Sequence, residues 1–345
     1  MIALAVLLLV LPSAAIAVRE LPFITAHHGE NGQEIYKMKH SFPTIKIHEP
    51  DQYICYTRYL EELDEVYVLS TLIEMNHEFV HHADLSFCEE PEEFASHKPW
   101  ECSKNRKYCK GGAVGVYFLD DYYRSKEGKM TYPKDVSLKV GFSTIMRHIC
   151  IEMHTKAAVI DAKYPLINVT LTFIKTPTKY NYQSHLMLTD GYIPANMEKG
   201  YFAEVACRWD KPDVVAYAVQ VHTHHVGYMA DVFRVRNGTW TLLASQLTQG
   251  KSKVLVPVPG GFIDVRQGDI LAAKCLYITK DSNPVRFGES DGQEMCNVDI
   301  QLGYEFKHEE SFKRSSGCMT QHPKFSFCDH EATSGICGDN SKVNM

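Results

Sequence analysis

The pair Asn237-Gly238 stands between the β-prone runs DVFRVR and TWTLL. Both residues accept positive φ, so they predict a two-residue type I′ turn, and a turn of that hand joins antiparallel strands. The same punctuation recurs along the chain. Short runs rich in β-branched and aromatic residues, bounded by Gly, Pro, Asn and Asp, occupy 53–60, 65–71, 79–87, 113–119, 137–142 and 149–154. Others follow at 168–174, 201–208, 214–224, 231–236, 239–243, 254–258 and 270–278. Runs of this length predict an all-β chain built of antiparallel β-sandwiches. Helical periodicity is confined to Pro91 to His97. Val18 to Pro50 reads as a polar, irregular leader wrapping the first domain, and Gly338 to Met345 as a loose tail.

A chain of 345 residues is long enough for two medium domains, each with its own core. The break falls in Lys175 to Gln183 (KTPTKYNYQ), where Pro177 and polar residues separate two strand-rich halves. The expected units are a signal peptide at 1–17, an N-terminal domain at 18–177 and a C-terminal domain at 178–345. Residues 1–17 form an apolar run ending Ala15-Ile16-Ala17, which fits the small-x-small rule for signal cleavage and is too short for a comfortable membrane span. The expected protein has no membrane span and is secreted or held in the secretory-granule lumen. Eleven cysteines in that compartment imply disulfides, and the odd number leaves at least one outside any intrachain pair. Asn168 and Asn237 head Asn-x-Thr triplets and are candidate glycosylation sites. The net charge of -6, with no basic block, argues against nucleic acid as a partner.

The stretch VQVHTHHVGYMADVFRVR carries His222 and His224 two apart. In a strand such residues share a face, so the two imidazoles can converge on one metal, with His225 pointing away. A single strand histidine is usually a packing or surface residue. Here a second cluster, His81-His82, lies in a similar run, EFVHHADLSFC, and the chain holds 17 histidines. His154 closes a strand in CIEMHTK, and Met295 lies in GQEMCNVDI. A buried methionine is normally core filler, but a thioether beside two imidazoles favours Cu(I) over zinc. The HExxH pattern of a zinc hydrolase is absent.

Taken together, VHH with a following cysteine, VHTHH, VRNGxWTL, GDILAAxC and EMCN resemble the copper type II, ascorbate-dependent monooxygenases. The resemblance runs from about Cys55 to Cys318. GDILAAKC and VHTHH favour the peptidylglycine-hydroxylating branch over those acting on dopamine or tyramine. It implies two jelly-roll-like β-sandwich domains, disulfide-stapled, with copper sites facing an interdomain cleft. His81, His82 and His154 would hold the electron-transfer copper, and His222, His224 and Met295 the oxygen-binding copper. Adjacent His81 and His82 cannot both face one way in a regular strand, so a local distortion is expected there. The implied reaction uses two copper ions, ascorbate and O2 to hydroxylate the Cα of the C-terminal glycine of glycine-extended peptides. A separate lyase would complete amidation. The implied disulfides are Cys55 with Cys102, Cys88 with Cys109, Cys207 with Cys318 and Cys275 with Cys296. Cys328 and Cys337 would form a local pair, leaving Cys150 free.

The chain departs from that pattern where the substrate would bind. Gln220 replaces an arginine that grips the peptide carboxylate, and Asp299 replaces a tyrosine, while Asn297 is kept. Glu152 stands where a glutamine is usual, two before His154. Losing a cation and gaining an anion disfavours a bound carboxylate by about 2–4 kcal/mol, or roughly 30- to 1,000-fold. Arg208, Arg234 and Arg236 are candidate replacements. Two alternatives stand beside the peptide reading: a same-fold copper monooxygenase acting on an amine or other non-peptide substrate, and a non-catalytic copper-binding protein.

Overall fold

The structure, a computed structural model, describes residues 23–29, 32–92, 98–102, 109–110, 114–120, 128–161, 164–248, 255–288, 292–314 and 316–320. Among them the chain is all β apart from one short 3-10 helix at Phe306–Phe312. Residues 1–17, the helical periodicity beyond Glu92, the Cys328/Cys337 pair and the 338–345 tail lie outside the described residues.

One 12-stranded sheet runs through both halves of the chain. Its main path is Phe23–His28, Glu34–Ser41, Ile167–Ile174, Val66–Met75, Val136–Val140, Tyr180–Thr189, Asn297–Tyr304, Val214–His222 and Leu255–Pro257. The N-terminal part of this sheet packs on a five-stranded sheet: Trp100–Glu101, Tyr53–Tyr59, His148–Thr155, Val80–Cys88 and Val114–Asp120. The C-terminal part packs on a four-stranded sheet: Tyr201–Arg208, Ile270–Tyr277, Gly227–Arg236 and Thr239–Leu247. The two sandwiches therefore join edge to edge, through a parallel pairing of Tyr180 with Val136 and Asn181 with Ser137.

Period-2 alternation builds each core. In the first, Val68, Ile73, Leu171 and Phe173 of the long sheet meet Tyr56, Leu85, Phe87, Ile151 and Met153 of the five-stranded sheet. In the second, Val219, Val298, Ile300 and Leu302 meet Val205, Val232 and Ala273. Each fully buried aliphatic or aromatic side chain of this kind is worth about 1.5–3 kcal/mol. A register shift between Ala216 and Ala218 makes Tyr217 a bulge. Tyr217, Ala218 and Tyr182 thereby join the first core from strands of the C-terminal half.

The Asn237-Gly238 turn has the expected form: φ is 48° and 75°, and Arg236 pairs with Thr239. One other expectation needs correction. The irregular leader contains a hairpin, Phe23–His28 with Glu34–Ser41, whose second strand also pairs with Ile167–Ile174. Met38 and His40 are buried there while Lys37 and Lys39 face out, an alternation masked by the polar composition. Tyr180–Thr189 begins within the polar segment 175–183, and Asn297–Tyr304 is a central strand of the long sheet.

Four disulfides bridge Cys55–Cys102, Cys88–Cys109, Cys207–Cys318 and Cys275–Cys296, while Cys150 is free and buried. These are the four pairs the resemblance implies. No helix among the described residues is long and apolar enough to cross a membrane.

Candidate metal centres

His154 lies opposite His82 in the antiparallel pair of Val80–Cys88 and His148–Thr155, and the next pair is Thr155 with Val80. His81 is therefore the extra residue of a β-bulge. A bulge bends the strand and re-aims a side chain, which lets two consecutive residues leave by one face. Three imidazoles gather as a result, with ring centroids 4.8 Å apart for His82–His154, 5.4 Å for His81–His82 and 5.5 Å for His81–His154. Tyr53 stacks on His154 at 4.1 Å with planes 2° apart, and its ring meets His82 edge-on at 5.8 Å.

Asp51 orients this cluster from the preceding loop. Its backbone is left-handed, φ 61°, and its amide donates to the Thr155 carbonyl at 2.9 Å. In that pose Asp51 Oδ1 lies 2.6 Å from His154 Nε2. An ionised carboxylate only accepts, so Nε2 carries the hydrogen and Nδ1 holds the lone pair that can face a metal. Glu152 is buried on the same face, opposite Cys55 and Asp84.

The second cluster forms where a strand ends. Val214–His222 stops at His222, so His224 sits in the turn beyond, not in the strand expected from the sequence run. The two rings are still 5.0 Å apart. His225 is exposed. The turn is tight: a Cβ on Gly227 would lie 2.2 Å from Thr223 Oγ1, so only glycine fits there. His224 Nδ1 donates to the Gln293 carbonyl at 2.7 Å, which leaves Nε2 as its lone-pair nitrogen.

Glu294, missed in the sequence, ties the pieces together. Its buried carboxylate accepts from the amides of His224 at 2.8 Å, Val226 at 2.7 Å and Met295 at 3.2 Å. Met295 is further held by Tyr277, whose hydroxyl donates to its carbonyl at 2.5 Å, and by the disulfide at Cys296. Asn297 lies opposite His222 in register, and its Nδ2 is 3.1 Å from Met295 Sδ. The thioether thus sits beside the strand end that carries His222. Three neighbouring imidazole rings, and two imidazole rings near the segment that carries a thioether, are donor types that suit copper.

A polar strip leads away from the second cluster. Gln220 lies opposite Asp299, and Asn297, Asp299 and Gln301 alternate along one face of their strand. Gln301 Nε2 donates to Asp299 Oδ2 at 2.7 Å. Asp299 Oδ1, Gln301 Oε1 and the hydroxyls of Tyr132 and Tyr217 are buried without a hydrogen-bond partner among the described residues. Burial pushes the Asp299 carboxyl up to about 7. Burial, with Tyr132 and Asp299 adding to it, also raises the Tyr217 hydroxyl.

The candidate replacement arginines do not reach this strip. Arg236 pairs with Asp269 at 2.7 Å and Asp264 at 2.9 Å, Arg234 with the Asp264 carbonyl at 3.2 Å and Thr241 at 2.6 Å, and Arg208 with the Gly268 carbonyl at 3.4 Å. Of the two sequon asparagines, Asn237 is exposed at its turn, whereas Asn168 is half-buried and accepts from Ser41 Oγ at 2.7 Å.

Comparison with known proteins gives a match of residues 183–325 to the copper type II ascorbate-dependent monooxygenase, C-terminal domain. The chain is 28% identical over 273 residues to the mouse (Mus musculus) peptidyl-glycine alpha-amidating monooxygenase, covering 78% of this chain and 27% of that protein. It is 27% identical over 288 residues to the A form from Xenopus laevis, covering 81% of this chain and 29% of that protein. The chain thus spans under a third of the length of these relatives. A chain of the cowpea mosaic virus top component aligns with a TM-score of 0.33 at 7% identity over 81% of this chain and 96% of that one, too weak a likeness to carry an argument.

Proposed function

We propose that the chain, whose residues 183–325 match the copper type II ascorbate-dependent monooxygenase, C-terminal domain, is a two-copper hydroxylase of glycine-extended peptides. His81, His82 and His154 would hold the electron-transfer copper, and His222, His224 and Met295 the oxygen-binding copper, the two facing a cleft between domains 18–177 and 178–345. The reaction would be hydroxylation of the Cα of a C-terminal glycine, the first step of peptide α-amidation. A separate lyase would finish it. The peptide substrate is suggested by the names of the relatives. The observation that carries the reading is the gathering of two donor sets of different softness, three imidazoles on a bulge and two imidazoles beside a thioether.

Copper, when bound, supplies the one-electron chemistry that passes two ascorbate electrons to O2, one oxygen entering the substrate and the other leaving as water. The chain's own residues do the rest. Asp51 and Tyr53 fix the tautomer and plane of His154. Glu294 and the Gln293 carbonyl fix His224, with Nε2 forward. Asn297 holds the Met295 thioether, and Gln220, Asn297 and Asp299 line the approach for substrate. The disulfides fit a secretory location, with 1–17 as a signal peptide and Asn237 better presented than Asn168 for glycosylation.

A second reading keeps the chemistry and changes the substrate to an amine. It is favoured by Asp299 Oδ1 and Gln301 Oε1, buried acceptors that would welcome a donor and repel a carboxylate. One mass-spectrometric experiment separates the readings. Copper-loaded protein with ascorbate and O2 is offered a glycine-extended peptide, the same peptide ending in an amide, and a set of amines. One oxygen gained on the glycine of the acid alone supports peptide hydroxylation. One oxygen gained only on an amine overturns it for the second reading, and copper bound without any product leaves a non-catalytic copper-binding protein.

A further inference from the structure

Three sulfurs meet at the end of the histidine-bearing strands. Cys88 closes Val80–Cys88, and Cys150 lies in His148–Thr155 with Ser86 and Thr57 as its register partners. The Cys88–Cys109 disulfide joins the end of Val80–Cys88 to Cys109, which pairs with Pro91. The Cys150 thiol touches both sulfurs of that bridge, at 3.2 Å to Cys109 Sγ and 3.5 Å to Cys88 Sγ. The three form an apolar cluster of their own, 1%, 7% and 1% exposed for Cys88, Cys109 and Cys150. The donor sets described above make no use of this cluster.

We infer that Cys88, Cys109 and Cys150 form a thiol–disulfide exchange centre, in which Cys150 displaces Cys88 and the chain interconverts between a Cys88–Cys109 and a Cys109–Cys150 bridge. The step balances internally. Cys150 loses its proton, its sulfur bonds to Cys109 Sγ as the Cys88–Cys109 bond breaks, and the electron pair leaves on Cys88, which takes up the proton. One disulfide and one thiol are present before and after, so no oxidant or reductant is consumed.

Geometry selects the product. Cys88 and Cys150 are diagonal neighbours on adjacent strands, with Cys88 opposite His148. Such diagonals put Cα atoms about 7–8 Å apart, beyond the usual disulfide span of about 4.4–6.8 Å. Cys109, held in a bridge with Pro91, already brings its sulfur to 3.2 Å from Cys150 Sγ. The exchange moves the attachment of Cys109 from the strand of His81 and His82 to the strand of His154.

The rate is set by how much Cys150 is thiolate. Burial raises this thiol well above its ordinary range. Its register partners Ser86 and Thr57 carry no charge, and the flanking positions on the same face bear Glu152 and Asp84 on one side and His148 on the other. Exchange is therefore slow at neutral pH and gains about tenfold per pH unit in alkali.

The test uses the full chain, held at about pH 7 or about pH 9, quenched in acid, denatured, labelled with a maleimide and mapped by mass spectrometry. At first the label in this trio falls on Cys150. The expected result is transfer of label to Cys88 with time, about tenfold faster per pH unit and independent of protein concentration, while the trio keeps one free thiol. Label confined to Cys150 at both pH values overturns the inference. In Cys150→Ala, and in Cys150→Val as a bulkier replacement in case the first fails to fold, Cys88 should stay unlabelled. Label reaching Cys88 without Cys150 would equally overturn it.

Discussion

The His224 amide donates to the Glu294 carboxylate at 2.8 Å, across 70 residues of sequence. The same carboxylate accepts from Val226 and Met295, so one buried acid holds the turn that carries an imidazole against the segment that carries the thioether. Glu294→Ala leaves three amide donors without their acceptor. A loss of about 3–5 kcal/mol is expected, against about 1–3 kcal/mol for Glu294→Gln, which keeps an acceptor. Urea unfolding of the two variants measures both, and copper analysis should show fewer than two ions per chain for the alanine variant. Equal stability of Glu294→Ala and the parent would contradict the role given to Glu294.

Asp51 reaches His154 across 103 residues of sequence and fixes its Nε2 hydrogen. Removing such an outer carboxylate typically weakens a metal site about 10- to 100-fold. Asp51→Ala should therefore lower copper affinity at the three-histidine site by that factor and leave the His222 site unchanged. Competition titration with a chelator reads the two sites separately, and unaltered affinity at both would remove Asp51 from the centre.

His154→Ala and Met295→Ile divide the two sites. His154→Ala should spare copper beside Met295 while stalling electron delivery, so that single-turnover reduction survives and steady turnover is lost. Met295→Ile should keep the fold and the three-histidine site and abolish hydroxylation. Full activity in either variant would contradict its assignment.

Asp299 gives a pH signature to stability. Burial raises its folded carboxyl to about 7, so the folded state binds the proton more tightly than the unfolded chain does. Its contribution is present below about pH 4 and is lost as pH rises through about 7, at no more than about 1.4 kcal/mol per unit. Asp299→Asn should abolish that fall. Unfolding free energies of both proteins across the window, taken as a difference, isolate the effect from other titrating groups. Parallel curves would show that Asp299 titrates normally.

Much of the fold could be read from local pattern. Asn237-Gly238 announces its hairpin because turn geometry depends on two residues alone. The adjacency of His81 and His82 demands a distortion, and the shifted register at His154/Thr155 supplies it. What the sequence concealed is what backbone groups do at long range. The acceptors Asp51 and Glu294 act on groups 103 and 70 residues away, and nothing in their neighbours marks them. The parallel seam between Val136 and Tyr180 is made of main-chain pairing and leaves little trace in side chains. Glu34–Ser41 was hidden for a different reason, since His40 is polar yet buried, paired at 2.7 Å with Arg58.

The central claim is that two copper ions sit in donor sets of different softness. Copper analysis joined to X-ray absorption of the ascorbate-reduced protein tests it most directly. Two ions per chain are expected, with sulfur scattering that disappears in Met295→Ile and persists in His154→Ala. Sulfur scattering that survives Met295→Ile, or a parent protein that holds no copper, would contradict it.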